Sequence, residues 1–176
     1  MSIAYWLKLY DKFKFESLCL DIETSGIDKP ITIIGVYRPK DGPVQYDSFI
    51  RGISLTAENL KPVLHTAKMF ITYNGFRHDI PYIRKEFPDA VPKVPILDLY
   101  LLARQMDLNT NLKVMEATMG IERLGDNTDR RGIAVKLWKR YQEGNYDALQ
   151  QLLDYNKEDT INLYPLAEKI RNMVDI

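Results

Sequence analysis

Two acids one residue apart, Asp21 and Glu23, end an apolar run that reads Leu18-Cys19-Leu20-Asp21-Ile22-Glu23-Thr24-Ser25-Gly26. If this run is a strand, its side chains alternate between faces, so Asp21 and Glu23 point one way and Leu20 and Ile22 the other. Two carboxylates ~4 Å apart repel by roughly 4 kcal/mol at an effective dielectric near 20. A divalent cation bound through oxygen turns that cost into binding. Three more features could join them. Asp79 follows the turn Asn74-Gly75-Phe76-Arg77-His78, which would aim it from the start of a helix. Tyr155 and Asp159 lie four apart in a long helical stretch and so share a face. Asp98 closes a short apolar segment, where capping the next helix is its ordinary role. Taken singly, these acids read as strand ends, caps and surface pairs; taken together, they describe a site for an oxygen-ligated metal such as Mg²⁺ or Mn²⁺.

The elements that must position these residues follow from periodicity. Ile3, Trp6, Tyr10 and Phe13 recur at helical spacing, which predicts a helix over 3–13 that packs its aromatics on a sheet. Strands are expected at 17–23, Pro30–Tyr37 and Val44–Arg51, the last two joined by a hairpin through Asp41-Gly42. Thr56 is the expected N-cap of a helix running to about His65. Met69–Tyr73 reads as a fourth strand, Asp79–Phe87 as a helix, Val94–Leu97 as a fifth strand, and Asp98 to about Met106 as another helix. Beyond these, the pattern gives helices at Leu112–Met119 (begun by Asn109-Thr110-Asn111), Ile133–Glu143 and Tyr146–Met173. A mobile loop is expected over Leu124–Gly132, and Pro165 is expected to kink the last helix or start a new one. Three strands joined by turns, followed by alternating helices and strands, indicate an α/β fold with a mixed five-stranded sheet.

Composition sets the outer bounds. The 176 residues suit one domain with its own core, and 45% hydrophobic with 27% charged residues is ordinary for a soluble protein. No apolar run approaches a membrane span and no signal-peptide pattern opens the chain. Cys19 is the only cysteine, which excludes a disulfide framework and a cysteine-built metal site and points to the cytoplasm. The formal net charge is zero, so contact with a nucleic acid must rest on a local patch or a bound metal. The cations Arg123, Arg130, Arg131, Lys136, Lys139 and Arg140 form the candidate patch. Of these, Lys136, Lys139 and Arg140 fall on one helical face and are candidate substrate contacts.

In their order, Asp-x-Glu-Thr after a strand, Asn-x-x-x-x-Asp after a later strand and Tyr-x-x-x-Asp on a C-terminal helix, the motifs resemble the ribonuclease-H-like DEDD exonuclease superfamily. The tyrosine resembles that of the branch containing DNA polymerase proofreading domains. The likeness is closest to a group of stand-alone bacterial and archaeal 3′–5′ exonucleases. Asp98-Leu99, Ala103-Arg104, Asn111-Leu112-Lys113 and Met119–Arg123 extend it, so that it covers about residues 17–168. The resemblance implies a ribonuclease-H-like fold in which Asp21, Glu23, Asp79 and Asp159 hold two divalent ions and Tyr155 orients the attacking water. Thr24 and Asn74, inside the same motifs, are expected to touch substrate. In-line hydrolysis of a phosphodiester requires charge stabilisation on the attacking and leaving oxygens, which two ions supply. The implied partner is a single-stranded DNA or RNA 3′ end. The pattern departs from the family at His78, where an apolar residue is usual, and Asp154 stands where a related branch carries its catalytic histidine. Endonucleolytic cutting on the same fold and a decayed binding module are the competing readings, and an aspartyl-phosphate phosphatase would need an aspartate in place of Glu23.

Overall fold

The apolar alternation along the first strand decides the layering of the molecule. In the computed structural model, which describes residues 1–39, 45–108, 110–123 and 132–175, the strands are β1 (Ser17–Thr24), β2 (Ile31–Arg38), β3 (Gln45–Ile50), β4 (Met69–Thr72) and β5 (Ile96–Asp98). The helices are α1 (Ile3–Phe13), α2 (Ala57–Leu64), α3 (Asp79–Glu86), α4 (Leu99–Gln105), α5 (Leu112–Thr118), α6 (Ile133–Gln142), α7 (Tyr146–Ile161) and α8 (Leu163–Arg171). The sheet order is β3-β2-β1-β4-β5. The first three strands are antiparallel, whereas β4 runs parallel to β1 and β5 parallel to β4. This is the expected mixed α/β sheet flanked by helices.

Leu18, Leu20 and Ile22 join Ile34, Val36 and Phe70 on one face, covered by Leu60 and Leu64 of α2 and by Ile80 and Ile83 of α3. Cys19 faces the opposite layer with Met69, Ile71 and Leu97, against Tyr10 of α1, Leu102 of α4 and Leu166 and Ile170 of α8. Burying a leucine or isoleucine side chain in this way contributes about 1.5–3 kcal/mol. Asp21 and Glu23 continue the Cys19 face, so the alternation that builds the core also sends both acids toward the C-terminal helices.

Local signals set most of the helix starts. Thr56 accepts the Asn59 N–H at 3.3 Å, Asn111 the Val114 N–H at 3.2 Å, and Asn145 the Ala148 N–H at 3.1 Å. The helical stretch expected over 146–173 divides in two, as the expectation of a kink or a new helix at Pro165 foresaw. It breaks at Asn162, and Pro165 sits in the first turn of α8, where a missing N–H costs nothing. Trp6 packs against the core and Tyr10 is fully buried, its hydroxyl donating to Glu168. The expected turn at Asp41-Gly42, the residue Asn109 and the loop through 131 lie outside the described residues.

Gly35 on β2 determines how near α7 can come. It pairs with Asp21 across the sheet, and a Cβ there would stand 2.1 Å from Asn156 Oδ1 and 2.5 Å from Thr160 Oγ1. Both side chains are short and buried, and Thr160 is tied to the Asn156 carbonyl at 2.7 Å, so neither can swing aside. Gly35→Ala is therefore expected to lower stability by about 1–3 kcal/mol, as overpacked cores do. A urea melt with an unchanged midpoint would show that α7 does not depend on this close approach.

Candidate metal centre

The site begins where the sheet runs out. The β1–β4 ladder ends at Cys19 opposite Ile71, leaving the farther end of β1 without a strand on that side. Asp79, buried at the first position of α3, accepts the Ile22 N–H at 3.0 Å and closes this gap. The turn that delivers Asp79 is held by Asp98. That carboxylate accepts from Asn74 N at 2.9 Å and Phe76 N at 3.0 Å, and from Tyr100 N at 3.1 Å and Leu101 N at 3.3 Å at the start of α4. Burial pushes the Asp98 carboxyl up while these four backbone donors pull it down. Asp98 is thus the expected helix cap, and it also clamps the turn before Asp79.

Asp21 and Glu23 from β1 meet Asp159 from α7, and one carboxylate oxygen of each lies within 4.8 Å of the others. Asn156, one turn before Thr160 and wholly buried, donates to Asp21 Oδ2 at 2.8 Å and accepts from the Tyr46 hydroxyl at 2.9 Å. Burial, and then the charges of Asp79, Glu23 and Asp159, raise the Asp21 carboxyl well above the usual carboxylate range. The Glu23 carboxyl is raised by burial and by Asp159 and Asp79. Burial also raises the Asp159 carboxyl, against the opposing pull of Arg123. Such a cluster of oxygen donors, each made costly to ionise by burial, fits a divalent cation. Asp79 is adjacent and adds to the field on both β1 acids, but its Oδ1 is committed to the Ile22 N–H and it stands outside the tight trio.

Tyr155 lines the same cleft, a space of about 540 Å³ bounded also by Glu23, Thr24, His78, Lys113 and Asp159. Burial, followed by the charges of Asp159, Glu23 and Asp21, pushes its phenol far up, so the hydroxyl keeps its proton. Lys113 lies 5.4 Å from the centre of the Tyr155 ring and brings a positive charge into an otherwise acidic wall. His78 stacks on Tyr82 at 4.8 Å, with Nδ1 3.8 Å from Asp79 Oδ2. Thr24 borders the cleft, its hydroxyl donating to the Gly26 carbonyl at 2.9 Å. Asn74 does not border it. Asn74 takes a left-handed backbone (φ 60°) at the corner of the turn that Asp98 holds.

Among the expected cations, Lys136, Lys139 and Arg140 are exposed on α6, outside the residues that line the cleft, and Lys139 pairs with Glu143 at 3.9 Å. Arg123 differs from expectation. It is buried in a two-bond pair with Glu116, so it is no surface phosphate grip. Arg130 and Arg131 lie outside the described residues. Lys113, Glu116 and Asn156 were not singled out as site residues. The sequence does carry a trace of Asn156: it stands four residues after Leu152 and three before Asp159, so it shares the inward face of α7 with a core leucine and a proposed ligand.

A mixed sheet carrying three acids from β1 and a C-terminal helix defines an α/β protein with a nuclease-type acidic centre. The family model RNase_H_2, described as RNase H superfamily, matches residues 18–171, and the chain belongs to that superfamily. No curated protein matches the sequence significantly. Membership and the acidic cluster together point to a hydrolase of nucleic acids that uses divalent metal. No helix among the described residues is long and apolar enough to cross a membrane.

Proposed function

We propose that the protein is a metal-dependent 3′–5′ exonuclease acting on single-stranded DNA or RNA as a single cytoplasmic domain of the tyrosine-bearing DEDD type. The observation that carries this reading is the meeting of Asp21, Glu23 and Asp159 within 4.8 Å, beside Tyr155 in an open cleft. Two ions, Mg²⁺ or Mn²⁺, held by Asp21, Glu23, Asp79 and Asp159, would stabilise charge on the attacking and leaving oxygens of an in-line displacement. Four carboxylates balance two such ions in charge. The chain's own groups do the rest. Asn156 holds Asp21 in place. Tyr155, kept protonated by burial and by its acidic surroundings, presents a hydroxyl that orients the attacking water. Lys113 offsets the negative charge of the entering phosphate.

Thr24 is the expected contact for the terminal nucleotide, since it borders the cleft beside Glu23. Asn74, expected to touch substrate, stands at the corner of the turn before Asp79 and outside the lining of the cleft. The deciding experiment is a gel of 3′- and 5′-labelled single-stranded DNA and RNA oligomers with Mg²⁺ or Mn²⁺. Stepwise shortening from the 3′ end supports the proposal. Internal cuts would assign an endonuclease, and intact substrate together with no metal binding would assign a binding module.

Lys136, Lys139 and Arg140 extend the proposal beyond the cleft as contacts for phosphates farther along the strand. Their change together to glutamine should weaken binding equally for all sequences. With three phosphates no longer neutralised by the protein, the salt dependence on single strands should flatten by about two units of slope. An unchanged slope in a salt titration would return the three residues to a solvated helix face.

A further inference from the structure

Arg123 and Glu116 form a buried ion pair for which the proposed reaction has no evident use. Their side chains are 5% and 1% exposed. Arg123 Nε lies 2.5 Å from Glu116 Oε2 and its Nη2 3.0 Å from Oε1, so the guanidinium is gripped at two points in one plane. The same Nη2 donates to Asp159 Oδ1, while Nη1 stands 4.0 Å from Glu158 Oε2. Glu116 comes from α5, Asp159 from α7, and Arg123 from the segment after α5, so one guanidinium joins three parts of the chain at a proposed metal ligand.

Burying such a pair contributes little to stability. Well-packed apolar residues in its place are often as stable or more so, because two charges must leave water. An unneutralised arginine beside a metal ligand would also repel the metal. Glu116 removes that objection by matching the charge of Arg123 while fixing its plane. What remains is direction: Arg123 holds the Asp159 carboxylate at Oδ1, and a carboxylate oxygen of Asp159 lies within 4.8 Å of oxygens of Asp21 and Glu23. Partners of this kind hold ligands in line at many metal sites.

We propose that Glu116 and Arg123 are positioning residues that act through Asp159, holding its carboxylate in the orientation that meets Asp21 and Glu23 around the cation. The inference rests on the reading of Asp21, Glu23 and Asp159 as a metal site. It adds a neutral, two-residue support from outside the acid quartet.

The test is calorimetric titration of Mn²⁺ into wild-type protein, Glu116→Gln, and the double variant Glu116→Met with Arg123→Met, each paired with a metal-free thermal melt. The double variant removes both charges at once and leaves neither partner stranded. Its melting temperature is expected to equal or exceed that of wild type, while its Mn²⁺ affinity falls ~10–100-fold. Glu116→Gln keeps the shape but leaves Arg123 unneutralised, and is expected to weaken Mn²⁺ by a similar factor even where its fold is intact. Variants that melt lower yet bind Mn²⁺ as wild type does would show the pair to be structural and overturn the inference. Wild-type protein that binds no Mn²⁺ would overturn the metal-site reading itself, a distinct result from the same instrument.

Discussion

Asp21→Asn is expected to cut hydrolysis by ~10³-fold or more while leaving the fold intact. The change keeps the side chain's shape, and an amide oxygen can still accept the 2.8 Å bond from Asn156. It removes one of the charges that make the cluster fit a divalent cation. Charge stabilisation by bound metal is worth several kcal/mol in the transition state, and each 1.36 kcal/mol is tenfold in rate. The metal-free variant should melt no lower than wild type, since the carboxyl it loses is one that burial and three neighbouring acids make costly to ionise. Turnover and a circular dichroism melt check both halves. Near wild-type turnover would remove Asp21 from the chemistry.

Tyr155→Phe should lower the rate by ~10²–10⁴, the range for a group positioned to handle a proton in the transition state. Phenylalanine retains the ring beneath Lys113 and the packing of α7, and loses only the hydroxyl. Mn²⁺ affinity is therefore expected to stay within a few-fold of wild type. The informative comparison is between rate and affinity measured on the same preparation. A variant that loses metal while keeping its rate at saturating Mn²⁺ would make Tyr155 a structural residue.

Much of the frame was legible because its signals are local. Period-two alternation placed β1 and aimed Asp21 and Glu23 together, and Thr56 marked the start of α2. Period-four spacing put Tyr155 and Asp159 on one side of α7, and the resemblance supplied the superfamily that the family match supports. What stayed hidden depends on contacts between distant segments. Arg123 looked like one cation among several because nothing nearby in sequence shows that Glu116 and Asp159 enclose it. Asn156 and Gly35 gain their meaning only from each other, across the space between α7 and β2. That Asn74 is also a turn corner stayed hidden, because its left-handed backbone and the grip of Asp98 on its N–H are tertiary facts. Pro165 signalled a kink or a new helix, but the break itself could not be placed at Asn162, since Asn162 keeps a right-handed helical backbone (φ −66°, ψ −16°) and leaves no gap in the pattern.

The bond from Asn156 to Asp21 spans 135 residues, and it has a consequence for the life of the chain on the ribosome. β1 is made early, but its two acids gain their third partner only when α7 emerges. At about 5–20 residues per second, that interval is on the order of ten seconds. Throughout it, the nascent chain carries Asp21 and Glu23 as an incomplete pair, without Asp159 to finish the cluster. A chain assembled in this order completes its acidic cluster only as α7 docks on the sheet, so under the proposed function it would be inert beside its own message until then.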